Sequence, residues 1–194
     1  MEKPTVTGVD KRVSRSVEAV LTETYRLLTE GGIGGVSMEE ISRRSGVAKT
    51  TIYRHWPSRS ALLLDACSKL GANRPIPDNG SFEADIATLV RDLAADLRGA
   101  QWASILPSIV DAAERDPELA RVQAALHEAL MSPFVAVTDR AQRRGEISSD
   151  RSPKELVASL VGPLFYRRWF SKEPVDDAFV TRLITTVARG HRER

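Results

Sequence analysis

The chain has 194 residues, 42% of them hydrophobic, enough for a small unit plus a larger domain with its own core. Its 28 Lys or Arg against 26 Asp or Glu leave a net charge of +2, which excludes a generally basic protein and requires any nucleic-acid surface to be local. One cysteine, Cys67, excludes an internal disulfide and a cysteine-built metal cluster and reads as a small apolar filler in a helix. In chain order, residues 1–10 lack a signal-peptide core, and Pro4 and Gly8 predict a flexible arm. Lys11, Arg12 and Arg15 are placed to brush phosphates, whereas Lys3 reads as solvated tail. A helix from Lys11 to Glu30 carries Val13, Val17, Val20, Leu21, Thr24, Leu27 and Leu28 on one stripe. Gly31-Gly32 stops it, and Gly34-Gly35 makes a loose link.

The next stretch, V-S-M-E-E-I-S-R-R-S-G-V-A-K-T-T-I-Y-R-H-W-P-S-R from Val36 to Arg59, organises the chain. Ser37 and Glu40 form the capping-box pattern at the start of a short helix. Ser45-Gly46-Val47 interrupts it with a residue that tolerates positive φ. A second short helix runs from Ala48 to His55, ended by Trp56-Pro57. Small Ser42 allows close approach, and Ile41, Val47 and Ile52 form a miniature core. Two such helices make a helix-turn-helix, whose second helix enters the major groove. No acidic residue occurs from Ile41 to Leu64, while Arg43, Arg44, Lys49, Arg54 and Arg59 fall inside. That clustering suits phosphate binding; the bland reading is a solvated basic face. Residues 1–57 hold nine basic against seven acidic residues, and 58–194 hold nineteen of each.

The run S-M-E-E-I-S-R-R-S-G-V-A-K-T-T-I-Y-R-H-W-P-S-R-S-A-L-L resembles the DNA-binding signature of tetracycline-repressor-type (TetR-family) transcription regulators, over about residues 15–65. The family's aromatic at the end of the recognition helix falls on Tyr53, and its basic residue at the start of the following helix on Arg59. Glu39 departs from the pattern, standing where some members carry a base-contacting Arg, and takes no DNA role on this reading. The resulting DNA-binding set is Ser37, Lys49, Thr50, Thr51, Tyr53, Arg54, His55 and Arg59. Lys49, Thr50 and Thr51 meet base edges or adjacent phosphates. Ser37, Tyr53, His55 and Arg59 hold the backbone.

Ser58 caps a fourth helix running to about Leu70, a natural mechanical link into the rest of the chain. The Pro/Gly/Asn-rich loop of residues 71–80 breaks it. The remainder reads as helices. Ser81 opens one with Glu83 and Asp85 in its first turn, and Gly99 ends it. Residues 101–115 form another, bent by Pro107. Asp116-Pro117-Glu118 starts a long helix toward Arg144, kinked by Pro133 and closed by Gly145. Ser152-Pro153-Lys154-Glu155 repeats the start signal, with both a capping box and a Pro, for a helix ending near Ser171, and a last helix spans about Asp176 to Arg189. The stretch from Leu156 to Phe165 is apolar on nearly every face and calls for cover. With Phe179, Val180, Leu183, Ile184 and Val187 of the last helix it predicts a homodimer, the pairing the resemblance also implies; an internal central helix is the alternative. The resemblance further implies a small-molecule cavity in this body, with Trp102, Phe134 and Tyr166 as its lining, although aromatics at helical spacing are more often core.

Nothing in the chain spells an enzyme. His55, His127 and His191 are scattered, His127-Glu128 lacks the H-E-x-x-H zinc pattern, and neither a phosphate-cradling loop nor G-x-S-x-G occurs. His127 reads as a partly buried structural residue. The expectation is therefore an all-α chain of about nine helices, divided into residues 1–57 for DNA binding and 58–194 for ligand binding and dimerisation. It is a cytoplasmic regulator without membrane contact, catalytic residue, metal or cofactor. As a homodimer it would bind palindromic double-stranded operator DNA and be released by an unidentified, largely apolar effector. The rival is a helical enzyme or adaptor with a vestigial helix-turn-helix.

Overall fold

The computed structural model describes the backbone of residues 8–72 and 75–189, and the side chains of 13–67, 75–99 and 105–188. Lys3 and His191, and the side chains of Lys11, Arg12 and Trp102, lie outside them. The described residues are helical throughout, with no strand. In order come α1 (Gly8–Gly31), α2 (Met38–Ser45), α3 (Lys49–His55), α4 (Arg59–Ala72), α5 (Phe82–Arg98), α6 (Ala100–Ala113), α7 (Pro117–Arg143), α8 (Pro153–Phe165) and α9 (Asp177–Arg189). A 3-10 turn at Ile33–Gly35 precedes α2, and a π-helical turn at Tyr166–Ser171 extends α8. The first helix starts earlier than its apolar stripe predicts, because residues 8–10 of the expected arm are already helical. No described helix is long and apolar enough to cross a membrane.

The chain forms two compact units, Met1–Leu70 with Ser104–Leu126, and Gly71–Ala103 with His127–Arg194. In the first, α1 buries Val20, Leu21, Leu27 and Leu28 against α2 and α3. Thr24 shares that buried face because its hydroxyl donates to the Val20 carbonyl at 2.8 Å. Two bonds carry this unit past residue 57, where the sequence reading divides the chain. The buried Trp56 indole donates to Asp65 Oδ2 at 3.0 Å, and the Tyr25 hydroxyl donates to the Ala66 carbonyl at 2.5 Å. Helix α4 begins on the predicted cap, with Ser58 Oγ accepting from the Ala61 N–H at 3.1 Å. Burial pushes the Cys67 thiol up to about 12, as suits an apolar filler.

The second unit packs α5, α8 and α9 together around Ile86, Leu89, Val90, Leu93, Leu160, Leu164, Val180 and Ile184. Ser81 caps α5 by accepting from the Ala84 N–H at 3.3 Å. Asp85 is fully buried there, and its charge is compensated by Arg140 Nη2 at 2.6 Å and the Asn79 N–H at 2.6 Å, as a buried carboxylate requires. Pro107 and Pro133 do not interrupt their helices, and α8 likewise continues through Pro163. Pro133 cannot donate to Ala129 O, and the Ser132 hydroxyl donates there instead at 3.4 Å. The capping box expected at Ser152 is absent: Pro153 takes the first helical position, but Ser152 makes no capping hydrogen bond. Helix α8 is also less uniformly apolar than its sequence implies. Leu156, Val157, Leu160, Val161 and Leu164 are buried within the protomer, while Ala158, Ser159 and Gly162 face outward.

Candidate nucleic-acid interface

Helices α2 and α3 are too short to hold themselves together, and the sequence supplies the missing bonds locally. Ser37 Oγ accepts from the Glu40 N–H at 3.1 Å, completing half of the expected box. The other half does not form, because the Glu40 carboxylate turns outward to Arg43 and Arg44. Those bonds hold its pKa down to about 2, Arg43 contributing most. At the turn, Gly46 adopts φ 69° and the Ser42 hydroxyl donates to the Val47 carbonyl at 2.8 Å. Ile41 and Ile52 are both 0% exposed, and Val47 is half-buried. With Ile52 pointing inward, α3 turns Lys49, Thr50, Tyr53, Arg54 and His55 outward, with Thr51 at the edge.

The basic residues of this region are not equally available. Arg43 pairs with Glu40 at 2.6 Å, and Arg44 with both Glu40 and Glu30 at 2.7 Å. Lys49 Nζ lies 2.8 Å from Glu39 Oε1, across the turn between α2 and α3. That hydrogen bond holds the Glu39 carboxyl below its usual range. Arg54 is exposed and makes no ion pair among the described residues. So the acid-free window of the sequence is neutralised by carboxylates just outside it, and Arg54 is its freely presented cation. His55 sits beside it, its ring 5.6 Å from that of Trp56.

Arg59, the basic residue at the start of α4, is engaged within the protein. Its Nε donates to the Val36 carbonyl at 2.7 Å and its Nη2 to the Ile33 carbonyl, so the guanidinium clamps the α1–α2 link. The opposite side of that link is also fixed. The Ile33 N–H donates to Ser108 Oγ at 3.1 Å, and Gly32 adopts φ 61° where a Cβ would come within 2.8 Å of the Ser108 side chain. Only glycine fits both demands. Ser108 escaped sequence reading because it lies 75 residues from its partner. Glu39, which takes no DNA role on the sequence, meets Lys49 because their spacing of ten residues spans the turn between α2 and α3.

The described aromatic candidates of the body, Phe134 and Tyr166, lie in different surroundings. Phe134 is 1% exposed and belongs to the core, Tyr166 is 60% exposed, and the Trp102 side chain is outside the described residues. A groove of about 540 Å³ lies between α5 and α9, lined among others by Asn79, Thr88, Arg91, Thr181 and Thr185 but by neither Phe134 nor Tyr166. His127, expected to be partly buried, is exposed.

Comparison with known proteins covers both units. Residues 20–66 match the family model described as bacterial regulatory proteins, tetR family, and residues 76–187 match the tetracyclin repressor-like C-terminal domain. The uncharacterized HTH-type transcriptional regulator YdeS of Bacillus subtilis is 26% identical over 175 residues, covering 89% of this chain and 88% of that one. The DNA-binding transcriptional repressor TetR of Mycobacteroides abscessus is 28% identical over 172 residues, covering 87% and 90%. Among solved structures, the TetR family transcription regulator SCO0332 is similar with a TM-score of 0.72 at 32% identity, covering 91% of this chain and 98% of that one.

Proposed function

The chain belongs to the tetR family of helix-turn-helix transcriptional regulators, and on that premise we propose that it is a homodimeric cytoplasmic repressor of a palindromic operator. The observation that carries this reading is the outward face of α3, where Thr50, Tyr53, Arg54 and His55 stand exposed around an inward Ile52. Lys49, Thr50 and Thr51 read bases or adjacent phosphates. Ser37, Tyr53, Arg54 and His55 hold the backbone, and Arg59 acts through the clamp it forms on Val36 and Ile33. Residues 1–57 supply the contacts to DNA, and the helices beyond them supply dimerisation and effector binding.

The dimer reading rests on the end of α8. Tyr166 and Phe170 stack with centroids 6.1 Å apart, Phe170 is 77% exposed, and the Phe165 and Trp169 rings lie 5.0 Å apart. Such a patch on a monomer calls for a partner, here a second copy; a two-fold dimer presents two recognition helices to half-sites one helical turn or a multiple apart. An effector releases DNA if it favours the non-binding arrangement; couplings of about 1–3 kcal/mol change affinity by roughly 5–150-fold. Selection of duplexes from a random-sequence pool tests the whole reading: a near-palindrome should be enriched. No enrichment, or a single asymmetric site bound by one chain, would refute it.

A further inference from the structure

The Glu39–Lys49 pair is the feature of the DNA-facing surface that phosphate binding leaves unexplained. A carboxylate beside the first residue of α3 is the wrong charge for a surface meeting polyanions. Exposed pairs of this kind add little to stability, and both side chains are largely exposed, Lys49 by 48% and Glu39 by 66%. The fold does not need the pair either, since α2 is capped by Ser37 and its turn held by Ser42 and Gly46. The other acids near this surface, Glu30 and Glu40, serve arginines of α2. Glu39 alone is committed to the leading residue of the recognition helix.

We propose that Glu39 and Lys49 together read one C·G base pair, Glu39 being the specificity-determining residue. The inference rests on the DNA-binding reading above. Residues at the start of a recognition helix face base edges, so the pair presents an acceptor and a donor side by side there. In the major groove a C·G pair offers the complementary arrangement, with the cytosine N4 amino group as donor beside guanine O6 and N7 as acceptors. Glu39 is acceptor-only and takes the cytosine amino hydrogen. Lys49 is donor-only and reaches guanine O6 or N7. An A·T pair fits less well, because beside the adenine N6 donor it offers the ammonium one acceptor on either side, N7 or thymine O4, whereas beside the cytosine N4 donor guanine offers both O6 and N7. Away from that base pair, Glu39 keeps Lys49 neutralised and repels phosphate, which weakens non-specific binding.

The test uses full-length protein and duplexes enriched by the wild type from a random pool, with a scrambled duplex of equal length as the non-specific probe. Each half-site should contain one C·G position at which substitution costs wild type about five- to a hundredfold in affinity. Glu39→Ala should abolish discrimination at that position alone, tighten binding to the scrambled duplex, and steepen the log–log salt slope by about 0.9 per head as Lys49 neutralises a further phosphate. Glu39→Gln should move the preference there from C·G to an adenine pair, since an amide can both donate to N7 and accept from N6. A merely structural role for Glu39 would not change base identity. Unchanged preference at every position in both variants, with wild type still binding its selected duplex, overturns the proposal alone. Failure of wild type to enrich any duplex overturns the DNA-binding reading and the proposal with it.

Discussion

The exposed face of α3 and the exposed end of α8 are made of opposite materials. On α3, hydroxyls, Arg54 and His55 surround a single buried isoleucine, and the neighbouring charges are already matched, Lys49 by Glu39 and Arg44 by Glu30 and Glu40. At the end of α8, Tyr166 and Phe170 present aromatic surface outward although five residues of the same helix are buried beneath. The first face can stand in water and still be adapted to a polyanion. The second gains from being covered by protein. Exposure is common to both, so the chemistry of what is exposed, and what is already paired, distinguishes a nucleic-acid surface from a subunit surface.

The strongest way to break that contrast is to destroy one region and follow the other. Ile52→Asp places an unpaired charge at a fully buried position between α2 and α3, at a cost of several kcal/mol. Hydrogen exchange should then show lost protection in α2 and α3 with α5, α8 and α9 unchanged, and DNA binding should vanish. Equal loss in all five helices would show that the two regions are not independent.

A second pair of variants separates cover from core. Val161 is buried within the protomer, so Val161→Asp should unfold it, which makes the inward apolar positions of α8 poor probes of assembly. Phe170→Asp should keep its helical circular dichroism yet sediment as a monomer at micromolar concentration. A Phe170→Asp dimer as tight as wild type would place the subunit contact elsewhere. On the polar face, Arg54→Ala should weaken binding about tenfold on all duplexes and flatten the salt slope by about 0.9 per head. A loss confined to one sequence would instead make Arg54 a base reader. Ser37→Ala should cost about 1 kcal/mol in urea unfolding, with no change in base preference.

The smallest effect concerns pH. The Cys67 thiol is raised by burial from 9.0 to about 12, so the unfolded chain releases this proton first as pH rises. The thiol's contribution to stability is complete below about pH 9 and disappears as pH climbs toward 12. Cys67→Ala should therefore show a shallower alkaline decline in urea midpoint than wild type, and native Cys67 should resist thiol reagents at pH 8.

Local rules carried the sequence reading where one residue answers to its near neighbours. The caps at Ser37, Ser58 and Ser81, the Asp116 Oδ1 bond to the Glu118 N–H, and the left-handed Gly46 and Gly145 all involve partners within a few positions. Ser152 shows the limit, since a helix started by proline does not require its serine to bond. Arg59 shows another. A guanidinium has five donors, and the two that meet carbonyls here are set by how close Ile33 and Val36 come once α4 is in place. The π-helical turn after α8 is fixed by distant packing, with Arg167 stacked 3.8 Å from the Phe179 ring centroid and bonded to the Pro174 carbonyl. No spacing rule announces that.

The bracing of the α1–α2 link bears on how such chains can recombine. A crossover after residue 57 would deliver the reading helices to a new body without their own Arg59 or Ser108, and one between residues 59 and 108 would keep Arg59 but still leave out Ser108. The Ile33 and Val36 carbonyls and the Ile33 N–H would then depend on whatever the recipient offers. Swapping DNA specificity between relatives is therefore a matter of exchanging a few side chains on α2 and α3 in place. Transplanting the segment whole would succeed only where the recipient supplies an arginine and a serine in register.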